Sequence, residues 1–269
     1  MQKRDSGLSI AVGFVMILMI IAMIIGMWAV VGVPQQIRDA EDYHAVSVTN
    51  SFLDYKIAVD NLRVLGWTGS NLSMLIPSAS AYADGVLVMK EDVGVLSVSV
   101  GGVDYDAYDV SRLYATFGTT NTLVGYEGGG VFRNDYGYAA WVTPPSITLE
   151  NTGDLYVTLV VPDMQGSFAV GSSEGIPVDT GLLSVSIPVD ISTTETITIT
   201  FTADDRWDAI VWNTFFYETE LQYNNSGVNV VSDLDLSANT TSLEISPSPG
   251  GDIYLTVINP EYVVDVRRY

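Results

Sequence analysis

Cysteine is absent from the 269 residues, which excludes disulfides, thiolate metal sites and cysteine nucleophiles. A domain of this length buries enough surface to do without disulfides even outside the cell. Histidine occurs once, at His44. A Ser-His-Asp constellation would have to use it, far in sequence from the serines of the later chain. One histidine and no cysteine also exclude the common zinc sites, and His44 is read as a packing or interfacial residue. Basic side chains are scarce too: 11 Lys and Arg stand against 32 Asp and Glu, a net charge of −21. Such a surface repels phosphate backbones, so nucleic acid is excluded as a partner. It suits a highly solvated exterior, cation-rich surroundings or salty water.

What is abundant comes first in the chain. From Leu8 to Val33 no charged residue occurs over 26 positions. As a helix at about 1.5 Å per residue this run reaches roughly 39 Å, longer than the roughly 30 Å hydrocarbon layer. A cleaved secretory signal has an apolar core of only about 7–15 residues, so the run is expected to persist. Lys3 and Arg4 precede it, and the acidic residues Asp39, Glu41 and Asp42 crowd around Arg38 after it; that bias places the N-terminus in the cytoplasm and the remainder outside. Three N-x-[ST] sequons, at Asn71, Asn224 and Asn239, fall in that remainder as candidate glycosylation sites. Ala11, Ala22, Gly26 and Ala29 lie close to one stripe of the helix, and small residues let helix backbones approach.

Beyond Pro34 the helical period continues in one-sided form. Ile37, Ala40, Val48, Phe52, Tyr55, Val59 and Leu62 recur on one side, with Arg38, Asp42, Asn50, Asp54 and Asp60 opposite, and Gly66 is a stop signal. The spacing predicts a helical unit over 1–66, spanning a membrane at about 8–33 and amphipathic over 35–65, followed by a small-residue linker over 67–83.

From 84 to the end, the pattern switches to alternation. "GVLSVSVGG", "LYVTLVVP", "ETITITFT" and "DIYLTVINP" are short, rich in Val, Ile, Thr and Tyr, and bounded by turn residues. Strands with one wet face and no crossover helices call for sheets packed face to face. The expected fold is therefore α+β: a long N-terminal transmembrane helix followed by an all-β sandwich, jelly-roll-like, as an ectodomain. A short helix near 203–217 interrupts it, with Thr202 as its cap and Trp207, Ile210, Val211 and Phe215, joined by Trp212, packing onto the sandwich. The alternative is an exposed aromatic patch at Trp207 and Trp212 for contact with sugars or a protein partner.

Carboxylates are the only plentiful functional groups. Asp104, Asp106 and Asp109 in "VDYDAYDV" are the one candidate for Ca²⁺, which takes several oxygen ligands, though a solvated acidic loop is the plainer reading. Glycoside hydrolysis would need two paired acids, for instance Glu127 and Asp135, but that pairing is tertiary and, among so many acids, the sequence carries almost no information on it. The "YEGGG" cluster is not followed by a helix start, which disfavours a phosphate loop. The reading is non-enzymatic, with no resident cofactor.

"KRDSGLSIAVGFVMIL", a basic head, a glycine and a continuous apolar helix, resembles the N-terminus of archaeal type IV pilin-like proteins with class III signal peptides. "VVGVPQQIRDAEDYHAVSVTNSFLDYKIAVDNLR" (Val30 to Arg63) and "LVGYEGGGVFRNDYGYAAWVTPPSITLEN" (Leu123 to Asn151) are similar to stretches of pilin-like surface proteins of haloarchaea and methanogens. The resemblance implies cleavage by a prepilin peptidase after Gly7, leaving Leu8 as the new N-terminus. It further implies a cell-surface filament of copies of this chain, joined through their helices. Asp5 and Ser6 separate the basic pair from Gly7, and the fifth position after the cut is Val12 and not Glu, a residue that archaeal members often lack. The alternative function is a monomeric, membrane-anchored binding module for glycans, cell-wall components or another surface protein.

Overall fold

A computed structural model describes residues 5–77, 85–117, 122–135, 137–172, 175–224, 228–247 and 251–267, with side chains of the first helix described from Val12 onward. One helical rod opens the chain: α1 (Asp5–Met27), a π-helical turn (Trp28–Gly32) and α2 (Val33–Leu65). The wide turn has a local cause. Pro34 supplies no N–H and its ring crowds the carbonyl four residues back; the helix accommodates it by a wider register just upstream, the Val33 N–H reaching Trp28 O. The expected stop holds: the Gly66 N–H donates to Leu62 O at 2.9 Å, and the backbone there turns extended.

Seventeen strands among the described residues, numbered in chain order, form three sheets. The largest runs in the order β14 (Asn229–Asp235), β15 (Thr240–Ser246), β13 (Ile197–Ala203), β2 (Gly85–Val100), β3 (Val103–Phe117), β4 (Thr122–Glu127), β5 (Gly130–Asp135) and β6 (Tyr138–Thr143), with β10 (Phe168–Ser172) pairing the first half of β2. A second sheet has the order β1 (Asn71–Pro77), β11 (Gly175–Val185), β17 (Pro260–Val266) and β9 (Asp163–Gln165). The third has the order β12 (Val189–Thr193), β16 (Ile253–Ile258), β8 (Leu155–Val160) and β7 (Ile147–Asn151). The remaining helix, α3, spans Arg206–Tyr223.

The long strand β2 changes partners midway. Its register against β3 slips between Lys90 and Gly94, where Asp92 adopts φ 53°; such a bulge bends and twists a strand. Two cores result. One packs the second half of β2, β13 and β15 against β7, β8 and β16, with Phe201, Trp212, Phe216 and Leu255 at its centre. The other packs the first half of β2, β3 and β4 against the β1–β11–β17 sheet, and α2 lies within it through Val48, Phe52, Tyr55 and Val59.

The helix-plus-sandwich architecture stands. The internal boundaries differ from those the sequence predicts. The amphipathic half of the rod is a wall of the β core, not a separate unit before it. Asn71–Pro77, expected as linker, is a full strand paired to β11 from Asn71↔Gly181 to Pro77↔Gly175; residues 78–84 lie outside the described residues. The interrupting helix starts later because β13 continues to Ala203. Thr202 is a ladder residue opposite Val95 and Thr240, and Asp205 is the cap, accepting from the Trp207 N–H at 2.8 Å.

Candidate functional site

Two features of the molecule carry functional information: the rod and a polar cluster beside α3. Along the rod from Val12 to Val31 every described side chain is exposed or nearly so, Met23 at 74% and Val30 at 75%. This helix has the length and composition to cross a membrane, and it is compatible with an anchor or a signal sequence. The next turns are anchored in the head. Phe52 and Tyr55 are fully buried, the Tyr55 hydroxyl meets Thr180 Oγ1 at 2.7 Å, and its ring sits edge-on to Tyr126 at 5.6 Å. Ala22 and Gly26 lie one turn apart on α1. Ala29 falls at the start of the π-helical turn; the Ala11 side chain lies outside the described set.

The polar cluster starts from cross-strand register. Arg112 on β3 lies directly opposite Glu127 on β4, on the sheet face turned away from α2, and its Nε donates to Glu127 Oε2. The first turn of α3 adds Asp208, 2.7 Å from Arg112 Nη2. Trp212, one turn on, donates Nε1–H to Glu127 Oε1 at 2.7 Å. The guanidinium also rests over the Phe132 ring at 5.1 Å. Trp141 completes the layer, edge-on to Phe132 and Trp212 and donating to Val211 O at 2.9 Å.

One cation thus faces two carboxylates in a nearly dry setting, side-chain exposures being 13% for Arg112, 3% for Glu127 and 18% for Asp208. Burial works against the Arg112 charge, and the Glu127 and Asp208 carboxylates override it, holding the group above its ordinary value. Burial raises the Asp208 carboxyl, and Arg112 offsets only part of that.

The "YEGGG" cluster serves this arrangement. Gly128 and Gly129 form the two-residue β4–β5 turn with φ 54° and 82°, a geometry only glycine adopts without strain. A Cβ at Gly128 would lie 2.7 Å from the Trp212 ring. The expectation that this cluster holds no phosphate loop fits its use as a hairpin turn.

A groove of about 490 Å³ opens beside the cluster, lined by Asn134, Gly137, Tyr138, Ala139, Trp207, Ile210 and Val211. Its aromatic walls are exposed, Tyr138 at 85% and Trp207 at 62%. Of the helix face expected from sequence, Val211, Trp212 and Phe215 are buried and Ile210 is half-buried, and one member is corrected: Trp207, at the helix start, is at the surface.

Other candidate residues are dispersed. Asp104, Asp106 and Asp109 are strung along β3 across a register shift, and no group of three or more Asp, Glu or His among the described residues is gathered for a metal. Asp106 instead accepts from the Ala107 N–H at 2.9 Å. Glu127 and Asp135 sit at opposite ends of the β4–β5 hairpin, since Asp135 follows Asn134, the partner of Leu123. At about 3.3 Å per residue that is roughly 13–16 Å, beyond the about 5–10 Å of paired glycosidase acids. His44 is half-buried and edge-on to Phe117 at 5.4 Å, its pKa lowered by burial with Glu41 pulling the other way. Asn71 begins β1 and is exposed, Asn224 is the exposed C-cap of α3, and Asn239 is half-buried with φ 53° between β14 and β15. Gly7 and Leu8 are in α1. Sequence reading missed Arg112, Asp208 and Tyr138; with only 11 basic residues in the chain, an Arg in the middle of a strand was the available signal.

The molecule is a long apolar helix rooted in a largely β head, and comparison with known families agrees on where the head lies. Residues 79–246 match the model of a family of unknown function, DUF7289. That span is well over half of the chain, which belongs to this family; it covers β2 to β15 and α3 but neither the rod nor β16 and β17. No curated protein and no solved structure matches.

Proposed function

We propose that the chain is a pilin-like structural protein, a subunit of a cell-surface filament assembled through its apolar helix, with the acidic head displayed outside the cell. One observation carries this reading. The rod is continuous from Asp5 to Leu65, its first half burying no described side chain in the head and its second half forming part of the head's core. A head fixed directly to a bare apolar helix suits a subunit whose helix passes from lipid into a bundle of its copies, where burial in neighbours replaces burial in lipid. Lys3 and Arg4 before the span favour a cytoplasmic N-terminus, and the resemblance at Gly7–Leu8 supports prepilin-peptidase processing. Shearing cells and imaging the detached fraction tests the reading: fibres containing the head are expected, and a protein that stays wholly with membranes without fibres overturns it. Intact mass from native cells reports cleavage after Gly7 and glycans at Asn71, Asn224 and Asn239.

A second reading, an anchored binding module for glycans or another surface protein, is favoured by the groove between Tyr138 and Trp207. Exposed aromatic walls beside a few polar groups are common in ligand sites. A glycan array without signal, with and without calcium, removes it.

A further inference from the structure

In a chain with 32 acidic and only 11 basic residues, two basic side chains on one wall of a groove are unexpected. Lys56 and Arg63 are two turns apart on α2, hence on one face, and both line a groove of about 440 Å³. Asp60 stands between them and is engaged by Lys56 Nζ at 2.8 Å, so the three charges sum to +1. The facing wall is the Pro144–Pro145 strap after β6 with the starts of the next strands, and it presents the hydroxyls of Thr143, Ser146, Thr148 and Thr158.

Among the described residues, Arg63 Nε and Thr143 Oγ1 are buried and have no hydrogen-bond partner. Tyr126, in the core behind α2 and within electrostatic reach of Asp60 and Arg63, has a buried hydroxyl in the same condition. Each of these groups can donate, and Arg63 Nε can only donate. Buried donors are normally satisfied, and the group that satisfies several donors beside a cation is an anion with several acceptor oxygens. Pro145, Ile147, Val160 and Ile258 supply an apolar floor, and the volume is that of a small-molecule site.

We propose that this groove binds an oxyanion, a carboxylate or sulfate group, with Arg63 and Thr143 as its donors and Lys56 as the second charge. The anion is either a free solute or an acidic side chain of a second copy. The site is independent of the filament reading and of the aromatic groove beside α3.

The full chain in detergent micelles, titrated with sodium sulfate and sodium acetate against sodium chloride at matched ionic strength, tests this. The expected result is a saturable rise in unfolding midpoint with sulfate or acetate beyond that with chloride. Arg63→Gln is expected to weaken it at least tenfold, and Thr143→Val and Lys56→Gln severalfold each. An identical response to chloride, or one unchanged in the variants, overturns the proposal. If Arg63→Gln loses native circular dichroism, Thr143→Val and Lys56→Gln decide by the same criterion. Light scattering separates the sources: sulfate that dissociates oligomers assigns a carboxylate of a second copy, and binding at constant mass assigns a free anion.

Discussion

At the scale of the residue, Arg112 is a side chain whose loss the fold tolerates poorly. Its guanidinium lies between Glu127 and Asp208, and deleting it leaves two carboxylates in a dry layer with no cation. Arg112→Ala is expected to cost about 3–5 kcal/mol, measured by denaturant unfolding. Asp208 adds a pH dependence. Its folded pKa lies above the ordinary 3.8, burial being the main cause. Below 3.8 the group is neutral in both states and its contribution is fully present. As pH rises the unfolded chain ionises first, so that contribution is lost up to the raised folded value. Asp208→Asn should therefore gain stability relative to the parent as pH climbs from below 3.8 toward neutrality; a difference independent of pH refutes the assignment. None of this was legible in the sequence, because the cluster joins a strand pair to a helix almost a hundred residues later. Glu41 is a different case: it lies seven residues before Val48, on the buried stripe of α2, but its charge argues against burial, and it is at 2% exposure with no hydrogen-bond partner for its carboxylate among the described residues.

At the scale of the element, α2 was the most readable part of the chain. Of the expected stripe, Val48, Phe52, Tyr55 and Val59 are buried and Ile37, Ala40 and Leu62 half-buried, with Glu41, Ala45 and Thr49 joining the buried side, because period 3.6 largely decides which side of a helix is apolar. What that side packs against was not readable. It faces β3, β4 and the β1–β11–β17 sheet, so the helix and the head unfold together. Phe52→Ala, at a fully buried position, is expected to cost about 3–5 kcal/mol, with protease cleavage appearing between α2 and β1 in the same variant. An unchanged unfolding midpoint would mean that the helix is not part of the core. For α3 the helix and most of its packed face, Val211, Trp212 and Phe215, were readable; its start was not, because Asp205 becomes the cap only where β13 stops pairing, and Trp207 in the first turn is left exposed.

At the scale of the whole molecule, the apolar first half of the rod adds nothing to the head's cores. A chain beginning at Val33 is expected to keep its unfolding free energy within about 0.5 kcal/mol of the parent and to lose its partition into detergent; precipitation or a large loss of stability would show that the head depends on the span. The sequence by itself determined the two-part character: an uncharged run long enough for a bilayer, then a one-sided helix, then alternating strands. Each of these is a local periodicity, and local periodicity follows from backbone geometry alone. Only the tertiary structure decided that β1 belongs to a sheet, that a bend in β2 divides the interior into two cores, and that Arg112 meets Asp208. It also decided that Lys56 and Arg63 share a groove with Thr143. These meetings depend on which distant strands pair and in what register, and a chain read one segment at a time does not contain that information.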